Sequence, residues 1–158
     1  MNLRIETAAI EHIPGIVGLM RDFAEYEKLS QYCDITEDKL SAVMFFDGAY
    51  VEGIVAFDDG KLIAYALFYK NFASFRGQRG YYLEDIFIDS NYRGVGIGEA
   101  ILKKIAQTAR SKGFERIDFQ VLDWNAPAIN FYEKLGAVSS PDESHFKFSD
   151  AAFDRLAR

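Results

Sequence analysis

The sequence predicts a single α/β domain spanning 1–158 and built on a mixed sheet, with elements in the order β-α-α-β-β-β-α-β-α-β. Three observations predict it. Short apolar runs alternate with turn residues through the middle of the chain. Two longer stretches repeat apolar residues every three or four positions. Between residues 81 and 122, an apolar strand, a glycine-rich turn, a long helix and a further strand follow one another. That is a βαβ crossover, which makes its two strands parallel. At 158 residues the chain has room for a proper core.

Leu3-Arg4-Ile5-Glu6-Thr7 alternates and reads as the first strand. Residues 10–28 carry Ile13, Ile16, Val17, Met20, Phe23 and Ala24 at helical spacing. Thr36 can cap a second helix whose first turn holds Glu37 and Asp38, running to about Phe45. Residues 50–57 and 61–69 read as a hairpin joined by Asp58-Asp59-Gly60. Residues 72–80 read as a loop and 81–88 as a central strand. Residues 94–111 place Ile97, Ile101, Ile105 and Ala109 on one helical face, and Lys112-Gly113 ends the helix. Residues 116–122 form the next strand. Asn125 caps a short helix with Pro127 in its first turn, ended by Gly136. A last strand pair is expected within 137–148.

Composition narrows the function. The net charge of −6 argues against nonspecific nucleic-acid binding, which rests on lysines and arginines, and sits better with a cationic substrate. No apolar run reaches bilayer-spanning length, so no membrane partner is expected. The first residues lack a signal peptide's basic and apolar regions. A single cysteine, Cys33, excludes an internal disulfide and suits a reducing cytoplasm. With only His12 and His145 and no Cys/His cluster, no metal is expected. Nor is there a Gly-x-Ser-x-Gly elbow.

The chemistry concentrates in Tyr92-Arg93-Gly94-Val95-Gly96-Ile97-Gly98, between strand 81–88 and the long helix. Glycines let backbone amides approach a pyrophosphate, and a helix N-terminus adds orphan N–H donors and a positive dipole end. The dinucleotide fingerprint fails, because its third glycine position falls on Glu99 or Ile101. The P-loop fails because Gly98 is followed by Glu99 rather than by Lys and a hydroxyl residue. The remaining pattern, Arg93-Gly94-Val95-Gly96-Ile97-Gly98, resembles the acetyl-CoA pyrophosphate loop of the GNAT N-acetyltransferases.

The resemblance extends along Tyr82-Leu83-Glu84-Asp85-Ile86-Phe87-Ile88, Asp123-Trp124-Asn125-Ala126-Pro127-Ala128-Ile129-Asn130-Phe131-Tyr132 and Gly136-Ala137. These segments are similar to the diamine (spermidine/spermine) N-acetyltransferases and their thialysine-acetylating relatives. The match is tight over about 81–137 and looser at Tyr26-Glu27-Lys28. It weakens after Ala137, and the tryptophan often found there is missing.

The resemblance implies the GNAT fold, acetyl-CoA as co-substrate, a small cationic amine as acceptor and a homodimer. It places the backbone of Ile86, Phe87 and Ile88 against the pantetheine arm. Arg93, Gly94, Val95, Gly96, Ile97, Gly98 and Glu99 would hold the pyrophosphate, with Asn125, Pro127, Ala128 and Asn130 also at the cofactor. Tyr132 would be the general acid that protonates the leaving thiolate. Glu84 would receive the amine's proton through water. Tyr26, Glu27, Glu84 and Asp85 would contact the acceptor. Strand alternation puts Glu84 and Ile86 on one face and Asp85 on the other. Acetylation of a lysine analogue or a protein N-terminus, and a noncatalytic acyl-CoA sensor, are the alternatives.

Overall fold

A computed structural model describes residues 1–158. The chain divides into two compact units, Met1–Gln120 and Val121–Arg158. In the first, five strands lie side by side in chain order: β1 (Leu3–Thr7), β2 (Glu52–Asp58), β3 (Lys61–Ala73), β4 (Gln78–Ile88) and β5 (Arg116–Phe119). Neighbours are antiparallel except β4 and β5, which run parallel, with Gly80 opposite Arg116 and Leu83 opposite Phe119. The connection between them is α3 (Ile97–Ser111).

The sheet is covered on both faces. On one, Ile13, Ile16, Val17 and Leu19 of α1 (Ile13–Tyr26) and Leu40 and Met44 of α2 (Glu37–Phe45) join Val55, Phe57, Tyr65, Leu67 and Phe87. On the other, Ile97, Ile101, Ile105 and Ala109 of α3 meet Ile54, Ala56, Ala66, Phe68 and Leu83. The four α3 residues are those its spacing puts on one face. Each buried isoleucine contributes on the order of 2 kcal/mol by leaving water.

Local signals act where expected. The Thr36 hydroxyl accepts the Lys39 N–H at 3.2 Å and caps α2. Asp59 and Gly60 both take left-handed backbone, φ 46° and 85°, which matches the twist of the β2–β3 hairpin. Lys112 follows α3 and ties it to the sheet, donating to Glu52 at 2.9 Å and to the Tyr81 hydroxyl at 2.7 Å.

The boundaries differ most in three places. The expected loop 72–80 shrinks to 74–77, because Phe72 pairs with Arg79 and Ala73 with Gln78. Helix α3 starts at Ile97 rather than Gly94, since Gly94 and Gly96 have positive φ. Strand β5 ends at Phe119 rather than at residue 122.

The second unit contains α4 (Ala126–Lys134) and α5 (Asp150–Leu156). Asn125 caps α4, its side-chain oxygen accepting the Ala128 N–H at 3.3 Å. The helix closes at Gly136, φ 95°, where the Gly136 and Ala137 N–H groups donate to the carbonyls of Glu133 and Tyr132. The strand pair expected over 137–148 does not form, and the chain ends in α5 instead. Phe146 and Phe148 alternate but are exposed. Alternation makes a strand only where a neighbour pairs with it.

Candidate active site

The glycine turn is shaped by backbone conformation. After the short turn Ser90–Tyr92, Gly94 and Gly96 adopt φ of 78° and 88°, and Gly96 forms the N-cap of α3. A Cβ at either position would meet nothing within 4 Å. Glycine is therefore required there by φ alone. The N–H groups that open α3 lie beyond this turn and have no partner within the helix. Val95 is exposed between the two glycines, Ile97 is buried in the core, and Gly98 and Glu99 occupy the first helical turn. This cradle fits a pyrophosphate.

Arg93 links the turn to two other elements. Its Nε donates to the Ile88 carbonyl at 3.0 Å. Its guanidinium lies 4.5 Å from the Tyr26 ring centroid and 5.2 Å from that of Phe87. Tyr26 ends α1, and Glu27 follows as its C-cap. Burial raises the Glu27 carboxyl above its ordinary range.

Strand β4 carries a bulge at Glu84. Leu83 pairs with Phe68 and Asp85 with Leu67, which leaves Glu84 as the extra residue. The bulge corrects the expected alternation. Ile86 packs with the α3-facing core, whereas Glu84 and Asp85 both turn to the α1 face. There Glu84 accepts from the Tyr69 hydroxyl at 3.2 Å, and the Tyr69 ring stacks on Tyr82 at 5.4 Å. Asp85 accepts from the Tyr65 hydroxyl at 3.0 Å. Burial pushes the Asp85 carboxyl up to about 6, and the charges of Glu84 and Glu27 add to the rise, against the Tyr65 hydrogen bond that lowers it. Beyond Leu83, β4 pairs with no strand on its β5 side, so Ile86, Phe87 and Ile88 lie along a strand edge, at which the Ile88 carbonyl accepts from Arg93.

In the first unit, then, the structure brings Glu27, Glu84 and Asp85 into one acidic group, and Tyr26 against Arg93. Tyr65, Tyr69 and Tyr82 complete this group and were missed in the sequence. In a chain with nine tyrosines, only the pairing register singles these three out.

In the second unit, Tyr132 lies on α4 and is half-buried, its ring edge-on to Phe131 at 5.1 Å. Asn125 is buried at the N-cap, Pro127 and Ala128 are in the first turn, and Asn130 is exposed.

The family model described as "Acetyltransferase (GNAT) family" matches residues 18–137, which contain the bulged strand, the glycine turn and α4. The chain belongs to the GNAT acetyltransferase family. GNAT acetyltransferases use acetyl-CoA, and the glycine turn and the β4 edge of this member suit that co-substrate. This GNAT chain is 37% identical over 154 residues to the thialysine N-epsilon-acetyltransferase of Bos taurus, covering 90% of each chain. It is 29% identical over 147 residues to the spermidine/spermine N(1)-acetyltransferase-like protein 1 of Homo sapiens, covering 89% of this chain and 21% of that one. Among solved structures, an integron cassette protein from the mobile metagenome of V. cholerae superposes with a TM-score of 0.83. It has 23% identity and covers 100% and 99% of the two chains. At that identity the likeness shows the GNAT fold alone. The protein is an N-acetyltransferase acting on amines.

Proposed function

We propose that the acceptor is a small primary amine carrying a further cation, such as a diamine or polyamine, acetylated by direct attack on acetyl-CoA. The observation that carries this reading is the β4 bulge, which gathers Glu84 and Asp85 on one face with Glu27 close enough to act on Asp85. Three carboxylates in one place favour a cation.

Acetyl-CoA supplies the activated acyl carbon. The residues of this chain do the rest. Arg93 and the amides of 94–99 hold the pyrophosphate, and the 86–88 edge orients the pantetheine arm; the family resemblance adds Asn125, Pro127, Ala128 and Asn130 as cofactor residues. Tyr26, Glu27 and Asp85 hold the acceptor's distal cation. Glu84 takes one proton from the ammonium through water, because only the neutral amine has a lone pair. That lone pair forms the N–C bond to the acyl carbon as the C–S bond breaks. The sulfur leaves with the bonding pair and takes a proton from Tyr132, which regains the second amine proton. The products are the amide, the free thiol and one released proton. No residue is acylated on the way.

A second reading replaces the diamine by a lysine analogue. It is favoured by the name of the Bos taurus relative, a thialysine acetyltransferase. Both readings are tested by measuring thiol release with putrescine, spermidine, thialysine, lysine and a peptide. Turnover with the diamines above all others supports the first reading. Preference for thialysine selects the second. Transfer to the peptide alone overturns both, and binding of acetyl-CoA without transfer to any amine marks a sensing module.

A further inference from the structure

We propose that Tyr65 is a positioning residue for acceptor selectivity: its buried hydroxyl holds the Asp85 carboxylate in place to receive the acceptor's second cation. The inference rests on the cationic-acceptor reading and deepens it.

Tyr65 is fully buried among the apolar residues beneath α1 and α2, with 0% of its surface exposed. Phenylalanine would pack there without bringing a polar group that needs a partner. The hydroxyl has one, Asp85 Oδ2 at 3.0 Å. Tyr65 stands opposite Phe87 and Leu67 opposite Asp85, so the bond crosses the β3–β4 pair diagonally. It fixes one carboxylate oxygen at a residue that follows directly on the bulge, where the strand's own geometry is least regular.

The charged and titratable groups around the pair come from each neighbouring element. Glu84 lies on the same strand and Glu27 at the end of α1, and both act on Asp85. Cys33, in the segment after α1, acts on the Tyr65 hydroxyl. Arg93 lies over Phe87, two residues along β4. A buried carboxylate, pressed further by two like charges, is prone to take up a proton or swing away, and the Tyr65 hydrogen bond opposes both. A diamine needs this carboxylate ionised and in place, whereas a monoamine has no second cation to present to it.

The experiment compares wild type and Tyr65→Phe with 1,4-diaminobutane and butylamine as acceptors. Losing a hydrogen bond to a charged group should lower the diamine-to-monoamine ratio of kcat/KM about tenfold, through KM rather than kcat. Asp85→Asn should lower the same ratio. In a parallel carbon-13 titration, the Asp85 carboxyl midpoint should move upward in Tyr65→Phe. An unchanged ratio, a loss confined to kcat or an unmoved midpoint overturns the proposal. If wild type acetylates neither amine, the acceptor reading falls separately, and the titration still decides whether Tyr65 holds Asp85.

Discussion

The Arg93 guanidinium lies over the Tyr26 ring at 4.5 Å, so the first residue of the glycine turn is packed against the last residue of α1. One side chain thus spans the proposed donor and acceptor sides of the site. Planar stacking suits arginine and not lysine. Arg93→Lys should raise the KM for acetyl-CoA several-fold and lower stability by about 1 kcal/mol. Thermal melts and donor-dependent kinetics check the two effects. An unchanged melt would mean that the stack contributes nothing.

The glycine turn separates backbone need from ligand need. Gly96→Ala should destabilise the fold by about 1 kcal/mol, because φ is 88° there. Gly98 is helical, so Gly98→Ala should instead stabilise α3 by about 0.5 kcal/mol. If Gly98 serves close approach of the pyrophosphate, that more stable variant should still bind acetyl-CoA more weakly. Calorimetric binding beside a denaturant titration reads both quantities.

Tyr132→Phe should lower kcat about a hundredfold with little change in the KM for acetyl-CoA, as expected for loss of a general acid. Steady-state kinetics over a range of donor concentrations makes the measurement. An unchanged kcat would assign the thiolate's proton to another source.

Asp85 should make stability depend on pH. Its carboxyl is raised from 3.8 to about 6, so the folded chain holds that proton more tightly than the unfolded chain. This group's stabilising contribution is complete below about pH 4 and is lost as pH rises through about 6. The displacement corresponds to at most about 3 kcal/mol. Asp85→Asn should therefore gain on wild type between about pH 4 and pH 7, as read by urea unfolding at several pH values. A constant difference would contradict the shift.

Much of this was legible in the sequence because the signals are local. Ile97, Ile101, Ile105 and Ala109 form a helical face whatever lies beneath them, and Thr36 caps α2 from four residues of sequence. The glycine turn was readable because Gly94 and Gly96 do something other residues do poorly. What escaped depends on pairing. The bulge at Glu84 arises from the match between β3 and β4, and no period in β4 alone announces it. Tyr65 gains its meaning from a residue twenty positions away. The 137–148 segment shows the reverse case: a strand pair was expected there, yet no strand forms. Helix α5 went unforeseen: its N-cap Ser149 makes no side-chain capping bond.

The extra residue in β4 also separates two tasks within one strand. Upstream of it, Leu83 and Tyr81 follow one side-chain phase; downstream, Ile86 and Ile88 return to the same layer only because the count was reset between them. Excising Glu84 would leave Leu83 opposite Phe68 and Asp85 opposite Leu67, an unbroken ladder with one fewer carboxylate. The hairpin can therefore exchange or shed that acid without renegotiating its partners.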